Sequence, residues 1–202
     1  MYCKKDWVLA SNNAGKLKEF SELLAPMSIT IQPQKAFAVE DAIEDGLSFI
    51  ENAIIKARHA SRATGLPALS DDSGLEVDAL NGAPGIYSAR YASMDGGEKS
   101  DTRNLEKVLH EMQNETNRTA RFHCVLAFVR HADDPTPIVI QGVWEGSLLN
   151  QPRGENGFGY DPVFWVEEHG CASAELSKEQ KNQLSHRGKA VRAFIKKMES
   201  LL

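Results

Sequence analysis

The residues Asp71-Asp72-Ser73-Gly74 set two carboxylates side by side just beyond a short apolar stretch, Ala68-Leu69-Ser70. Carboxylate oxygens are the hard ligands that Mg²⁺ prefers, and a carboxylate can also take a proton from water. Neighbouring side chains on an extended strand point to opposite faces, so Asp71 and Asp72 serve one site only where the strand bends into a turn. The same four residues also read as an ordinary Asp-rich turn. Glu44, within the acidic run from Glu40 to Asp45, is a third acid that completes a metal site if folding brings the two segments together.

Ser11-Asn12-Asn13-Ala14-Gly15-Lys16 lies where an apolar run, Trp7 to Ala10, gives way to a helical pattern. A strand-to-helix junction points backbone N–H groups and the positive end of the helix dipole at whatever lies above it, which favours phosphate. Gly15 permits close approach, and the Lys16 charge suits a bound anion better than it suits the first turn of a helix. A capped turn with a surface lysine fits equally well. The segment is not a Walker A loop, because Ala10 stands where the first Gly is required and Leu17 where Ser or Thr would hold magnesium.

Two later stretches suit a nucleobase. Gly157-Phe158-Gly159-Tyr160-Asp161-Pro162 holds two aromatic rings among glycines, so flat faces can stack on a base while Asp161 reads a polar edge. The competing reading packs both rings into the core as part of a turn. Ser185-His186-Arg187-Gly188, with Lys181 upstream, offers hydrogen-bond donors just before a helix, or simply a solvated helix start.

The elements that must position these residues follow from periodicity. Helices are expected over 16–24, 48–64, 102–112 and 188–202, and strands over 7–10, 29–32 and 68–70. Ser48 and Glu51 have capping-box spacing, ahead of an apolar stripe of Phe49, Ile50, Ala53, Ile54, Ala57 and Ala60. The β-rich runs 121–131 and 138–149, joined through Asp133-Asp134-Pro135, read as an antiparallel hairpin. The mixture is α/β. The 202 residues carry a formal net charge of -5, which argues against a broad cationic face for nucleic acid. Three scattered cysteines, Cys3, Cys124 and Cys171, fit a reducing compartment. With neither a signal-length nor a membrane-length apolar segment, the expectation is a cytoplasmic protein.

Taken in order, the stretches VLASNNAGKLKE, GLSFIENAIIKAR, ALSDDSGLEVDALNGAPGIYSARYA, RFHCVL, GFGYDPVF and AELSKEQKNQLSHRG resemble the inosine triphosphate pyrophosphatase family, in its bacterial branch acting on non-standard purines. The resemblance runs from residue 7 to about residue 195. It implies one domain over residues 1–202, with two lobes, an elongated mixed sheet, flanking helices and a nucleotide cleft between the lobes, usually as a homodimer. It implies hydrolysis of dITP, ITP, XTP and dXTP to the monophosphate and pyrophosphate with Mg²⁺. On motif position, Asp72 matches the catalytic base and a metal contact, with Glu44 the other acidic ligand and Asp71 adjoining. Ser11 to Lys16 and Ser73 match triphosphate or sugar contacts, and Phe158 to Asp161, Lys181, His186 and Arg187 match the remaining substrate contacts. The chain departs from the family at Ser11-Asn12-Asn13, where Thr-Gly-Asn is usual, so the glycine's backbone freedom is lost. A related pyrophosphatase of the septum-inhibitor type, acting on pyrimidine triphosphates, and a non-catalytic nucleotide sensor are the alternatives.

Overall fold

The computed structural model describes residues 5–94 and 96–201; Cys3 and the last residue of the expected C-terminal helix, Leu202, lie outside the described residues. In chain order the elements are β1 (Asp6–Leu9), α1 (Ala14–Leu24), β2 (Thr30–Pro33), α2 (Phe49–Thr64) and β3 (Ala68–Val77). They continue as α3 (Asp101–Glu111), β4 (Thr119–Val129), β5 (Ile138–Leu148), β6 (Phe164–Val166), β7 (Cys171–Ala172), α4 (Lys178–Leu184) and α5 (His186–Glu199). The strands form one mixed seven-stranded sheet in the order β2-β1-β3-β4-β5-β6-β7. β1 pairs parallel with β2 and with β3, whereas β6 pairs antiparallel with β5 and with β7. Parallel neighbours need long crossovers, and α1 and α2 supply them. No described helix is long and apolar enough to cross a membrane.

The chain divides into two compact units. The first comprises residues 1–72, 125–141 and 190–202. Its core sets Val8, Ala68, Val125, Ala127 and Val129 against Ala53, Ala57 and Ala60 of α2, all buried. Alanine on that face lets the helix lie close to the strands. Ile50, expected in the same stripe, is instead 37% exposed. Trp7 packs at a tilt on Phe128, centroids 4.3 Å apart, and meets Phe194 edge-on at 6.3 Å.

The ends of α2 form as its sequence requires. Ser48 Oγ accepts from the Glu51 amide at 3.2 Å, while Glu51 Oε2 accepts from the Leu47 amide at 2.9 Å and from Ser48 Oγ. Gly65 closes the helix in the left-handed region, at φ 69°.

The second unit comprises residues 73–124 and 142–189. Its core gathers Leu75, Val77, Leu105, Val108, Met112, Phe122, Trp144, Tyr160 and Phe164. Two sequence expectations change. Asp71 to Gly74 do not form a turn: β3 runs unbroken from Ala68 to Val77 and is buried at most positions. The C-terminal helix starts earlier than expected, at His186, and is preceded by the separate short helix α4, capped by Ser177 and Gln180. Both differences arise because tertiary pairing and a good N-cap outweigh local turn propensity.

In the first unit, Asp134 closes the connection between β4 and β5. Its carboxylate accepts from the Arg130 amide at 3.0 Å, from Arg130 Nε at 2.8 Å, from Arg130 Nη2, and from the Thr136 amide at 3.0 Å. The Arg130 side chain, chief among these partners, holds the Asp134 carboxyl well below the usual aspartate range. A depressed folded-state value stabilises the protein above the ordinary range and loses that stability as pH falls through it. Asp134→Asn should therefore lower stability at pH 7 by about 2–3 kcal/mol, the scale of a buried charge-assisted pair. Urea unfolding at stepped pH should show that difference shrinking below about pH 4. A pH-independent difference would mean that the ionised carboxylate is not its source.

Candidate active site

The unbroken course of β3 decides the geometry of the acidic pair. Asp71 and Asp72 project to opposite faces, and each meets a different lysine. Asp71, whose side chain is fully buried, accepts from Lys16 Nζ at 2.9 Å. Asp72 Oδ1 lies 2.5 Å from Lys56 Nζ, which also bonds the Asp71 carbonyl at 3.1 Å. Glu44 Oε1 stands 3.6 Å from the same Lys56 ammonium. Glu44 and Asp72 thus converge on one cationic centre, while Asp71 is turned to Lys16.

The backbone around this cluster is tied down at several points. Ser70 Oγ donates to the Ala53 carbonyl at 2.6 Å, fixing β3 against α2 one residue before the pair. The Gly46 amide donates to Asn52 Oδ1 at 2.9 Å, seating the segment that carries Glu44 on the first turn of α2. A Cβ at Gly46 would lie 2.6 Å from Glu51 Cβ, so the approach requires glycine.

Burial pushes the Asp72 carboxyl above its ordinary value, with Glu44 and Asp71 adding to it against the pull of Lys56. Burial works against the Lys56 charge as well, but Asp72, Glu44 and Asp71 together hold its pKa above the ordinary lysine value. Three carboxylates face two ammonium groups, so the cluster retains an affinity for positive charge. Among the described residues no group of three or more His, Cys, Asp or Glu side chains is placed to share a metal ion. A metal here would take two protein carboxylates and complete its shell with water and ligand oxygens, the habit of Mg²⁺.

At the start of α1, Asn13 is the N-cap, its Oδ1 accepting from the Lys16 amide at 3.0 Å. Ser11 Oγ accepts from the Asn13 amide at 3.2 Å. The amides of Ala14 and Gly15, in the first turn, have no intrahelical acceptor available and form the helix's positive end. Asn12 is turned aside: its amide group donates to Asp41 and its carbonyl accepts from the Lys35 amide, both at 3.2 Å. Ser73, next along β3, is half-buried.

In the second unit the Gly157–Asp161 stretch separates its two aromatics. Phe158 is 61% exposed, with Lys181 Nζ 5.2 Å from its ring centre. Tyr160 belongs to the core, and its hydroxyl donates to the Ser88 carbonyl at 2.8 Å. Burial pushes its phenol well above the ordinary range, so it stays a neutral donor. Of the expected pair of stacking faces, Phe158 alone presents a ring outward.

Asp161 is also buried, and its carboxylate is already engaged. It accepts from the Phe158 amide at 2.8 Å, from Ser173 Oγ at 2.9 Å and from Lys181 Nζ. Through these contacts Asp161 shapes the loop that displays Phe158. The Gly159 amide is held by Asp101 at 3.0 Å.

The His186 ring stacks on Phe122 at 4.8 Å and near Trp144 at 6.4 Å, which fixes its plane. Arg187 follows in the first turn of α5, half-buried.

The Ham1 family model matches residues 7–197. The chain belongs to the Ham1 family. Among Ham1 relatives, the dITP/XTP pyrophosphatase of Vibrio cholerae serotype O1 is 58% identical over 197 residues, covering 96% of this chain and 97% of that one. The dITP/XTP pyrophosphatase of Photobacterium profundum is 59% identical over 190 residues, covering 93% and 95%. A solved HAM1 protein from Coxiella burnetii superposes with a TM-score of 0.93 at 47% identity, covering 98% of this chain and all of that one. The family resemblance and the mixed α/β fold expected from the sequence both hold.

Sequence reading passed over three residues that this Ham1 fold brings to the two clusters: Lys56, Ser173 and Asp101. Ser173 and Asp101 carry no local signal, because their partners are 12 and 58 residues away in sequence. Lys56 did carry one. It sits four residues from Asn52 and four from Ala60, both fully buried, so it is a lysine on the covered face of α2.

Gly157, at φ 84°, is where the Phe158 loop is most constrained: a Cβ there would lie 2.2 Å from Asp161 Oδ2. Gly157→Ala should displace the Asp161 carboxylate and lower kcat/KM for dITP by roughly tenfold or more, the scale of a misplaced binding group. Thermal unfolding should report a folded protein. Unchanged kcat/KM would show that the Phe158 loop does not matter for turnover.

Proposed function

We propose that this chain hydrolyses non-standard purine nucleoside triphosphates, dITP and XTP with their ribo and deoxy counterparts, to the monophosphate and pyrophosphate. The observation that carries the reading is the convergence of Glu44 and Asp72 on one cationic centre, beside the Lys16–Asp71 pair at the start of α1. The names of the Vibrio cholerae and Photobacterium profundum relatives support the substrate class.

Glu44 and Asp72 would hold Mg²⁺, which when bound offsets charge on phosphate oxygens and makes a water more acidic. Asp72 accepts the proton of the attacking water. The water oxygen bonds to the α-phosphorus, the bond from that phosphorus to the bridging oxygen breaks, and pyrophosphate leaves with the electron pair. Lys16 and the first-turn amides of α1 stabilise the charge on the leaving group. Lys56 can give up its carboxylate partners to a metal and turn its ammonium to a phosphate oxygen. The homodimer implied by the resemblance and the cytoplasmic setting expected from the sequence belong to the same proposal.

Asp72→Asn should keep the fold and lower kcat on dITP by roughly 10²-fold or more, the scale of losing a general base or a metal ligand. Pyrophosphate release across dITP, XTP, dTTP and UTP at stepped Mg²⁺ is the measurement. Near-normal turnover with an unchanged metal requirement would remove Asp72 from the mechanism. Turnover confined to pyrimidines, or tight binding without turnover, would overturn the function itself.

Selectivity falls to Phe158, His186 and Arg187. Hypoxanthine and xanthine carry an oxygen at C6, where adenine carries an amino group. Donors that satisfy the oxygen go unpaired against the amino group, and a site built this way can reject the analogue by as much as ~10⁴-fold. Arg187→Ala should lower kcat/KM for dITP and XTP more than for dATP, compressing the ratio between them. An equal loss on all three would make Arg187 a phosphate-binding or structural residue.

A further inference from the structure

The Asn12 side chain, at the position where this chain departs from the usual glycine, joins two segments of the first unit. Its Nδ2 donates to Asp41 Oδ1 at 3.2 Å, and its Oδ1 accepts from the Lys35 amide at 3.2 Å. Asp41 Oδ1 also accepts from Gln34 Nε2 at 2.6 Å, and Gln34 itself is buried. Asp41 lies three residues before Glu44, in residues 38–47, a stretch without helix or strand. Beyond Asp41 that stretch is held by His59 Nε2 on the Glu40 carbonyl at 2.9 Å and by Asn52 on the Gly46 amide at 2.9 Å. Asn12 therefore ties the backbone at the start of α1 to the segment carrying Glu44.

We propose that Asn12 is a positioning residue that couples metal binding at Glu44 to triphosphate binding at the Ser11–Lys16 loop. The inference rests on the pyrophosphatase reading given above. A segment with no ladder of its own is ordered by such point contacts, and ordering it before the metal arrives removes an entropic cost that the metal would otherwise meet. An anion that orders the Ser11–Lys16 loop also steadies Asp41, and with it Glu44. Linkage then requires the converse, so that the metal strengthens nucleotide binding by the same factor. A glycine at position 12 has no side chain with which to make either bond.

The test uses the full-length protein in four forms: wild type, Asn12→Ala, Asn12→Asp and the swap Asn12→Asp with Asp41→Asn. The Asn12→Asp variant sets two carboxylates against each other, while the swap restores an amide opposite a carboxylate. Amide hydrogen exchange over residues 38–47, without metal or nucleotide, reads the tether directly. Calorimetric titration of an α,β-imido dITP analogue at stepped Mg²⁺ reads the coupling without turnover. Asn12→Ala should speed exchange and raise the half-saturating Mg²⁺ about threefold, as for one exposed hydrogen-bonded link, and Asn12→Asp about tenfold. The swap should bring both readings back to within about twofold of wild type. Unchanged exchange in both single variants, or a swap that folds but rescues neither reading, would overturn the tether. Faster exchange with an unaltered Mg²⁺ requirement would overturn the coupling. Failure of wild type to bind the analogue at any Mg²⁺ concentration would instead sink the pyrophosphatase reading and the coupling built on it, while exchange would still decide the tether.

Discussion

Two adjacent carboxylates buried on one straight strand set the terms for the first unit. Left without compensating charge, Asp71 and Asp72 would cost the fold several kcal/mol each. The alternation of β3 denies them a common partner, so a cation must reach each face separately. Lys16 comes from the first turn of α1 and Lys56 from the covered face of α2. The positions of both helices follow from this requirement as much as from the apolar core. α1 has to begin where β1 ends, and α2 has to lie close enough on its alanine face for a lysine beside that face to reach β3.

The same compensation makes the cluster suitable for chemistry. An ammonium held by two carboxylates occupies the place a divalent ion could take, and it is itself a charge that a phosphate could use. Exchange of one cation for another needs little rearrangement when the anionic frame is already ordered. Glu44 is the least constrained member, because it sits on a segment without regular structure. Its place depends on side-chain ties from Asn12, Gln34, His59 and Asn52.

The second unit repeats the device with a single acid. Asp161 is buried, and the partners that satisfy it are the Phe158 amide, Ser173 and Lys181. Satisfying that carboxylate curls the glycine-rich loop, draws Tyr160 into the core and leaves Phe158 outside. One buried charge therefore decides which aromatic is available to a planar ligand.

Much was legible in the sequence because it depends on local periodicity and on the identity of short motifs. The cap of α2 and the strand-to-helix junction at Asn13 follow from rules that span a turn or two. The six motif blocks, read in order, pointed to the family. Only the tertiary structure decided the rest. It decided that Asp71 and Asp72 lie within a strand, because neighbouring strands in the sheet override the turn propensity of Asp-Asp-Ser-Gly. It decided that Lys56 joins Glu44 and Asp72, that Asp161 faces inward, and that Asn12 reaches Asp41. Each of these unites residues far apart in the chain, and a hydrogen bond or ion pair is set by distances of a few ångströms that sequence spacing does not encode.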